Sequence, residues 1–263
     1  MTKDFEPLEI KIKILSPIVA PLRRQPHPLH LDALVISIMT ARNKHHFPLL
    51  SGDTDYEDPY APENGHKQGV PFAVCGNNSP IYQASVAFAD GDIAFDDYNW
   101  IKKAPDVSMQ QLLGTKKRNP RYNQGGESSG KERAWMESMK GVLPAEIIFE
   151  CVGDKQALTN ILKDVRGLGV MRRIGLGEIL AISITKSEKS IEDCGFIRDG
   201  QPARELPCCD WPEQKGWNAV AATTRPPYWN PHNTEISWCP PLELTVPGMA
   251  LVKRTIRNAE ARR

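Results

Sequence analysis

Alternation of apolar and polar residues marks the strands of this chain. Leu8, Ile10, Ile12 and Ile14 alternate with charged residues, which predicts a half-buried strand. The same alternation over 146–151 and an apolar run over 179–185 predict two more strands. Apolar segments at 70–75 and 81–89 flank a Gly-Asn-Asn-Ser-Pro sequence, which predicts a hairpin.

Apolar residues at helical spacing predict two helices. The first carries Leu31, Leu34, Val35, Ile38 and Met39 on one face and ends near Arg42. The second spans 154–166, with Asp154 as its N-cap and Gly167 just past its C-terminus. The polar, turn-rich residues between them, 43–69, are predicted to form a loop.

The predicted order of elements is β-α-β-(β)-β-α-β. This order is typical of the α+β class, in its ferredoxin-like, RRM-like form: an antiparallel sheet with two helices. We expect residues 1–263 to form one domain of this kind. Residues 90–142 have little apolar periodicity and form an insertion, and 186–263 form an irregular extension rich in proline and tryptophan.

The net charge of the whole chain is close to zero, but basic residues are concentrated in one segment. Lysine and arginine number 33 against 32 acidic residues, yet the segment from Lys102 to Lys140 holds nine basic and four acidic side chains. Such a segment suits a nucleic-acid backbone, with Tyr122 available to stack on a base. The alternative is a solvated loop. The basic residues predicted to bind are Lys116, Lys117, Arg118, Arg121, Lys131 and Arg133.

Four glycines form the most informative motif. Gly167, Gly169, Gly175 and Gly177 bracket the pair Arg172–Arg173. Glycine permits close backbone approach and arginine suits phosphate, so the loop is predicted to bind a phosphate backbone. Its helix-loop-strand order argues against dinucleotide and P-loop sites, which need strand, glycines and then helix. A helix cap followed by a tight turn remains the structural alternative.

Metal, membrane and catalytic signatures are weak in this sequence. The six cysteines form no C-x-x-C pair and fit no standard zinc finger, and no apolar run is long enough to cross a bilayer. We therefore expect no metal, no cofactor and a cytoplasmic location. His27 or His30 could act with Tyr122 or a lysine in metal-independent RNA cleavage, but helix capping or packing explains these histidines as well.

Three segments resemble the RAMP superfamily of CRISPR-associated proteins. They are Pro28-Leu29-His30-Leu31-Asp32-Ala33-Leu34 at the first helix, the glycine-rich loop 167–177, and Arg225-Pro226-Pro227-Tyr228-Trp229 in the extension. The last of these, with the chain length, is most similar to the Cas5-type subunit of type IV effector complexes.

The resemblance implies a non-catalytic subunit. Such subunits bind the 5′ handle of the guide RNA and cap a filament of backbone subunits beside a large subunit. They take part in targeting DNA indirectly, because base pairing by the guide reads the target. The basic insertion would be their hairpin "thumb", and the loop from Gly167 to Gly177, with Met171, would line the handle. Arg42 and Lys44 are weaker candidates for the same RNA. A guide-processing endoribonuclease and a plain interaction module remain alternatives.

Overall fold

Five antiparallel strands form the main sheet. A computed structural model describes residues 5–19, 28–43, 59–102, 135–169, 175–228 and 230–240. The strands, numbered along the chain, are β1 (Glu6–Ile14), β2 (Ile18–Val19), β3 (Val74–Cys75), β4 (Ile81–Tyr82), β5 (Phe88–Lys102), β6 (Trp135–Gly153), β7 (Ile179–Lys186), β8 (Ile197–Arg198), β9 (Gln201–Pro202), β10 (Leu206–Pro207), β11 (Asn218–Thr223) and β12 (Thr234–Cys239). In the main sheet, β6 lies between β5 and β1, β7 pairs with the other edge of β1, and β2 pairs with β6.

Two helices share one core with the inward face of this sheet. Leu8, Ile10 and Ile12 of β1 are fully buried, in one cluster with Leu31 of the helix Leu31–Asn43 and Leu158 of the helix Lys155–Leu162. The fold is therefore α+β with mainly antiparallel strands, and its strand order is compatible with the predicted ferredoxin-like arrangement. The helices are α1 (Leu31–Asn43), α2 (Pro62–Gly65) and α3 (Lys155–Leu162), with a 3₁₀ turn at Pro231–Asn233.

The longest pairing joins β5 to β6. Its register runs from Phe88 opposite Ile148 to Lys102 opposite Trp135, so both strands continue far beyond the part of β6 that pairs with β1. The strand ends indicated by apolar periodicity, near residues 89 and 146, were therefore wrong for β5 and β6. A two-stranded ribbon can satisfy its backbone hydrogen bonds without the inward alternation that a buried face imposes. Residues 103–134 lie outside the described part of the chain.

Helix α3 is shorter than its periodicity predicts. Asp154 caps its N-terminus as expected, accepting a hydrogen bond from the Ala157 amide at 2.9 Å. The helix nevertheless ends at Leu162, four residues before the predicted end, and Gly167 is not its C-terminal glycine. Gly167 instead forms a bridge with Glu178, so pairing with the next segment replaces the last helical turn.

Two predicted boundaries in the connecting segments were also wrong. The segment 43–69, predicted as loop, contains the short helix α2. The predicted 81–89 strand is split into β4 and the start of β5, although the hairpin of β3 and β4 is confirmed. Between them the chain makes only isolated bridges, Ala84 with Cys151 and His30 with Val86.

The extension was predicted to be irregular, but its described residues form paired strands. Strands β10, β12 and β11 form a three-stranded sheet, and β8 pairs with β9. Leu206 lies opposite Trp238, over thirty residues away along the chain, and Ala219 lies opposite the same tryptophan. Strands this short carry too little alternation for recognition from sequence, so long-range pairing determined the structure of the extension.

Candidate nucleic-acid interface

The C-terminal end of the glycine-rich loop is tied to the connection between β1 and β2. The Ser16 hydroxyl donates to the Gly175 carbonyl oxygen at 2.6 Å and accepts from the Glu178 amide at 2.8 Å. The Gly177 amide donates to the Pro17 carbonyl oxygen, also at 2.8 Å. These bonds fix the loop against one corner of the sheet.

The loop's glycines serve different purposes. A Cβ at Gly177, where φ is +67°, would lie 1.9 Å from the Leu168 carbonyl oxygen, and one at Gly169 would lie 2.8 Å from the Val19 carbonyl oxygen. Both glycines therefore allow close packing within the protein itself. Gly175, at φ +85°, faces open space and is exposed. Of these three, only Gly175 has the open surroundings that a ligand's backbone would need.

The loop lies next to the root of the long β5–β6 hairpin. Gly169 packs on Val19 of β2, and β2 pairs with Gly141 and Val142 of β6. Since neighbouring strands lie about 4.8 Å apart, Gly169 is within roughly 10 Å of β6. One short strand thus separates the glycine-rich loop from the hairpin that leads into the basic insertion.

A groove of about 580 Å³ opens between α1 and this loop. Its apolar lining includes Leu34, Ile38 and Leu176, and its polar lining includes Arg166 and Glu178. A site of this size and mixed character is typical of small-ligand recognition.

Most of the basic residues predicted to bind lie outside the described part of the chain, as do Met171 and Tyr122. The described members of the predicted set are Arg42 and the four glycines. The members outside are Lys44, Lys116, Lys117, Arg118, Arg121, Tyr122, Lys131, Arg133, Met171, Arg172 and Arg173.

Arg42 contacts the end of α3. Its Nη2 donates to the carbonyl oxygens of Asn160 at 3.2 Å and Ile161 at 3.0 Å, and to Asp164 Oδ2 at 2.6 Å. A guanidinium at a helix C-terminus satisfies orphan carbonyls and opposes the negative end of the dipole. Arg42 therefore has a structural role, and its contribution to RNA binding stays a prediction.

A buried ionic joint, which sequence reasoning missed, fastens the extension to α1. Arg204 is fully buried, with Nη1 3.4 Å from Asp32 Oδ2 and Nη2 donating to the Tyr228 hydroxyl oxygen at 3.0 Å. Tyr228 in turn donates to Asp32 at 2.8–2.9 Å. Asp32 and Tyr228 belong to two of the segments quoted above, but no local pattern marks Arg204 as their partner.

Burial raises the pKa values of two carboxyl groups beside Arg204. It raises the pKa of Asp32, against the opposing effect of the Arg204 charge, and raises the pKa of Glu205 to about 7. Glu205 Oε2 lies 3.4 Å from His30 Nε2, and the His30 ring stacks on Tyr228 with 3.9 Å between ring centroids. His30 is only 3 % exposed, so it packs in the joint as the structural alternative predicted.

The outward face of the sheet is partly covered by the extension. Glu150 of β6 is buried and pairs with Lys189 at 2.7 Å and Arg198 at 3.1 Å, while the Arg198 guanidinium lies over the Phe88 ring. The face that many sheet-type RNA binders use for stacking is thus occupied here by the chain's own ion pairs.

Across the described residues, no group of three or more histidine, cysteine, aspartate or glutamate side chains could hold a metal ion. Nor is any helix in that part of the chain long and apolar enough to cross a membrane.

Comparison with known families places these features in context. The family described as CRISPR type IV associated protein Csf3 matches residues 6–240, which is most of the chain. A comparison with curated protein sequences yields no match. The family match spans the sheet, the glycine-rich loop and the extension with its buried joint. The chain therefore belongs to the Csf3 family of type IV CRISPR-associated proteins.

Proposed function

We propose that this chain is a non-catalytic subunit of a type IV CRISPR effector complex that binds the 5′ handle of the guide RNA. In this role it caps the filament of backbone subunits and contacts the large subunit in the cytoplasm. Target DNA is read by base pairing with the guide. Its fold is of the RAMP, ferredoxin-like type, formed by residues 1–263 with the thumb insertion and the C-terminal extension.

The observation that carries the proposal is the adjacency of the glycine-rich loop and the hairpin root. Gly169 packs on β2, and β2 pairs with β6 at Gly141 and Val142. Arg172 and Arg173 lie in this loop, and the cationic residues 116–121 lie between β5 and β6 along the chain. The loop that holds the first cationic segment and the root of the hairpin that leads into the second lie at one corner of the sheet, which suits binding of a single polyanion.

The outward sheet face supports the same site by elimination. Along the described strands, the outward positions of β1 carry Glu9, Lys11 and Lys13, and those of β6 opposite them carry Glu150, Ile148 and Glu146. These positions offer no aromatic ring for base stacking, and the Phe88 ring on the same face lies beneath the Arg198 guanidinium. RNA binding is therefore expected at the loop and the thumb.

The alternative endoribonuclease is disfavoured by the environment of His30. Its ring is buried between Tyr228 and Glu205, where an RNA 2′-hydroxyl has no access. The other candidate, His27, lies outside the described residues. Incubating the protein with repeat RNA in EDTA distinguishes the functions: binding without site-specific cleavage supports the non-catalytic subunit.

Charge reversal of two loop arginines tests the proposal. We expect the R172E/R173E variant to lose at least tenfold in affinity for fluorescently labelled repeat-derived RNA, because each phosphate contact contributes to a salt-dependent binding free energy. The matched control is K67E/K215E, which makes the same change in net charge at two exposed lysines elsewhere. Circular dichroism would show whether both variants remain folded.

The salt dependence supplies the second measurement. The slope of log K against log salt should become shallower by up to about two for R172E/R173E and stay unchanged for the control. Equal affinities and slopes for the two variants would reject the assignment of the loop. Affinity that does not fall with salt would favour the plain interaction module.

A further inference from the structure

The groove beside the glycine-rich loop combines an apolar floor with two opposite charges. Leu34 and Ile38 of α1 and Leu176 of the loop supply aliphatic surface, while Arg166 and Glu178 line the same groove. Arg166 and Glu178 are both exposed, and neither side chain forms an ion pair or hydrogen bond with another described residue. The groove therefore presents the hydrogen-bond donors of the Arg166 guanidinium and the acceptor oxygens of the Glu178 carboxylate beside an apolar surface.

The backbone holds these two side chains on neighbouring segments. The Ile179 amide donates to the Arg166 carbonyl oxygen at 3.1 Å, and Gly167 bridges to Glu178. The backbone positions of Arg166 and Glu178 are thus fixed by main-chain pairing. Preorganisation of this kind reduces the conformational cost of binding.

We propose that this groove binds one unstacked guanine base of the RNA. The inference rests on the proposed function, since the RNA strand would be brought to the groove by the adjoining loop. Guanine offers N–H donors at N1 and N2 to a carboxylate, which only accepts, and acceptors at O6 and N7 to a guanidinium. Its flat apolar faces suit the aliphatic floor.

Other bases match this arrangement less well. Adenine has an acceptor at N1, which faces the Glu178 carboxylate unfavourably, and uracil offers a single N–H donor in place of two. Inosine keeps the N1–H but lacks the 2-amino group, so it isolates one of the two proposed contacts. Selectivity for guanine therefore depends on the weaker binding of the other bases as well as on the contacts made to guanine.

The test uses labelled RNA decamers of uridine with one central guanosine, adenosine or inosine, measured by fluorescence anisotropy. We expect the guanosine decamer to bind about tenfold more tightly than the adenosine decamer, with inosine between them, since a well-placed bidentate contact is worth about that factor. Glu178→Gln should abolish most of this preference. The hydrogen bond from the Glu178 backbone amide to the Ser16 hydroxyl does not involve the carboxylate, so the variant is expected to fold.

Glu213→Gln is the matched control, because it makes the same chemical change at an exposed position of the extension. A guanosine preference that is lost in E178Q and kept in E213Q supports the site. Equal, salt-dependent binding of all three decamers would overturn the guanine site while leaving RNA binding intact. A preference that survives E178Q would also overturn it. Absence of salt-dependent binding to any decamer would reject the proposed function itself.

Discussion

Removal of Arg204 should strongly destabilise this protein. The Arg204→Met variant keeps the length of the side chain and deletes its charge. The native guanidinium is fully buried and donates to the backbone oxygens of Tyr82, Ala84 and Thr224 as well as to Tyr228. Without it, the Asp32 carboxylate stays buried without its cation.

Loss of one partner from a buried ion pair costs about 3–5 kcal/mol. Asp32 would keep two donors, the Tyr228 hydroxyl and the Ala33 amide, which limits the penalty. We therefore expect a loss of about 4 kcal/mol, a large part of the roughly 5–15 kcal/mol by which domains are stable. The assay is equilibrium urea unfolding, followed by tryptophan fluorescence and far-UV circular dichroism.

Two comparison variants sharpen this measurement. Lys186→Met breaks a 3.9 Å pair with Glu6, in which the lysine side chain is 72 % exposed, and should cost under about 1 kcal/mol. Adding Asp32→Asn to Arg204→Met removes the stranded charge, so the double variant should be more stable than the single one. A cost below about 1 kcal/mol for Arg204→Met, or no recovery of stability in the double variant, would exclude a strong contribution of the buried ion pair.

The remaining predictions concern the loop glycines and Glu205. Gly177→Ala should cost at least about 2 kcal/mol more than Gly175→Ala in thermal or urea unfolding, because both positions have positive φ but only Gly177 has a carbonyl oxygen at 1.9 Å from the added Cβ; equal losses would contradict this steric role. Burial raises the pKa of Glu205 from 4.5 to about 7, so its contribution to stability is complete below pH 4.5 and is lost as the pH rises through 7. That contribution amounts to about 3 kcal/mol, and Glu205→Gln should flatten the measured pH profile across this window, whereas an unchanged profile would exclude Glu205 as its source.

Local pattern was sufficient for the elements that bury one face. The alternation in β1, the apolar face of α1 and the Asp154 cap each depend on residues within a few positions, and each is confirmed. The predicted end of α3 was wrong, because the bridge of Gly167 with Glu178 and the Arg42 contacts come from other segments of the chain.

The candidate site likewise combines features that the sequence indicates with features that depend on the fold. Composition identifies a cationic insertion and a glycine-rich loop with two arginines, which indicates a polyanionic partner. It could not show that Gly169 and Gly177 are needed for packing, since the atoms they avoid belong to Val19 and Leu168. Arg166, placed in the groove by main-chain pairing, carries no sequence signal either.

By itself, then, the sequence determined the strand and helix faces, the charge of the insertion and the resemblance to a CRISPR-associated superfamily. Only the tertiary structure decided that β2 lies between the loop and the hairpin root, and that Arg204 joins Asp32 to Tyr228. The physical reason is the separation along the sequence of the residues that interact. Periodicity and caps act through neighbouring residues, whereas an ion pair across 172 positions or a strand beside a loop exists only after the chain has folded.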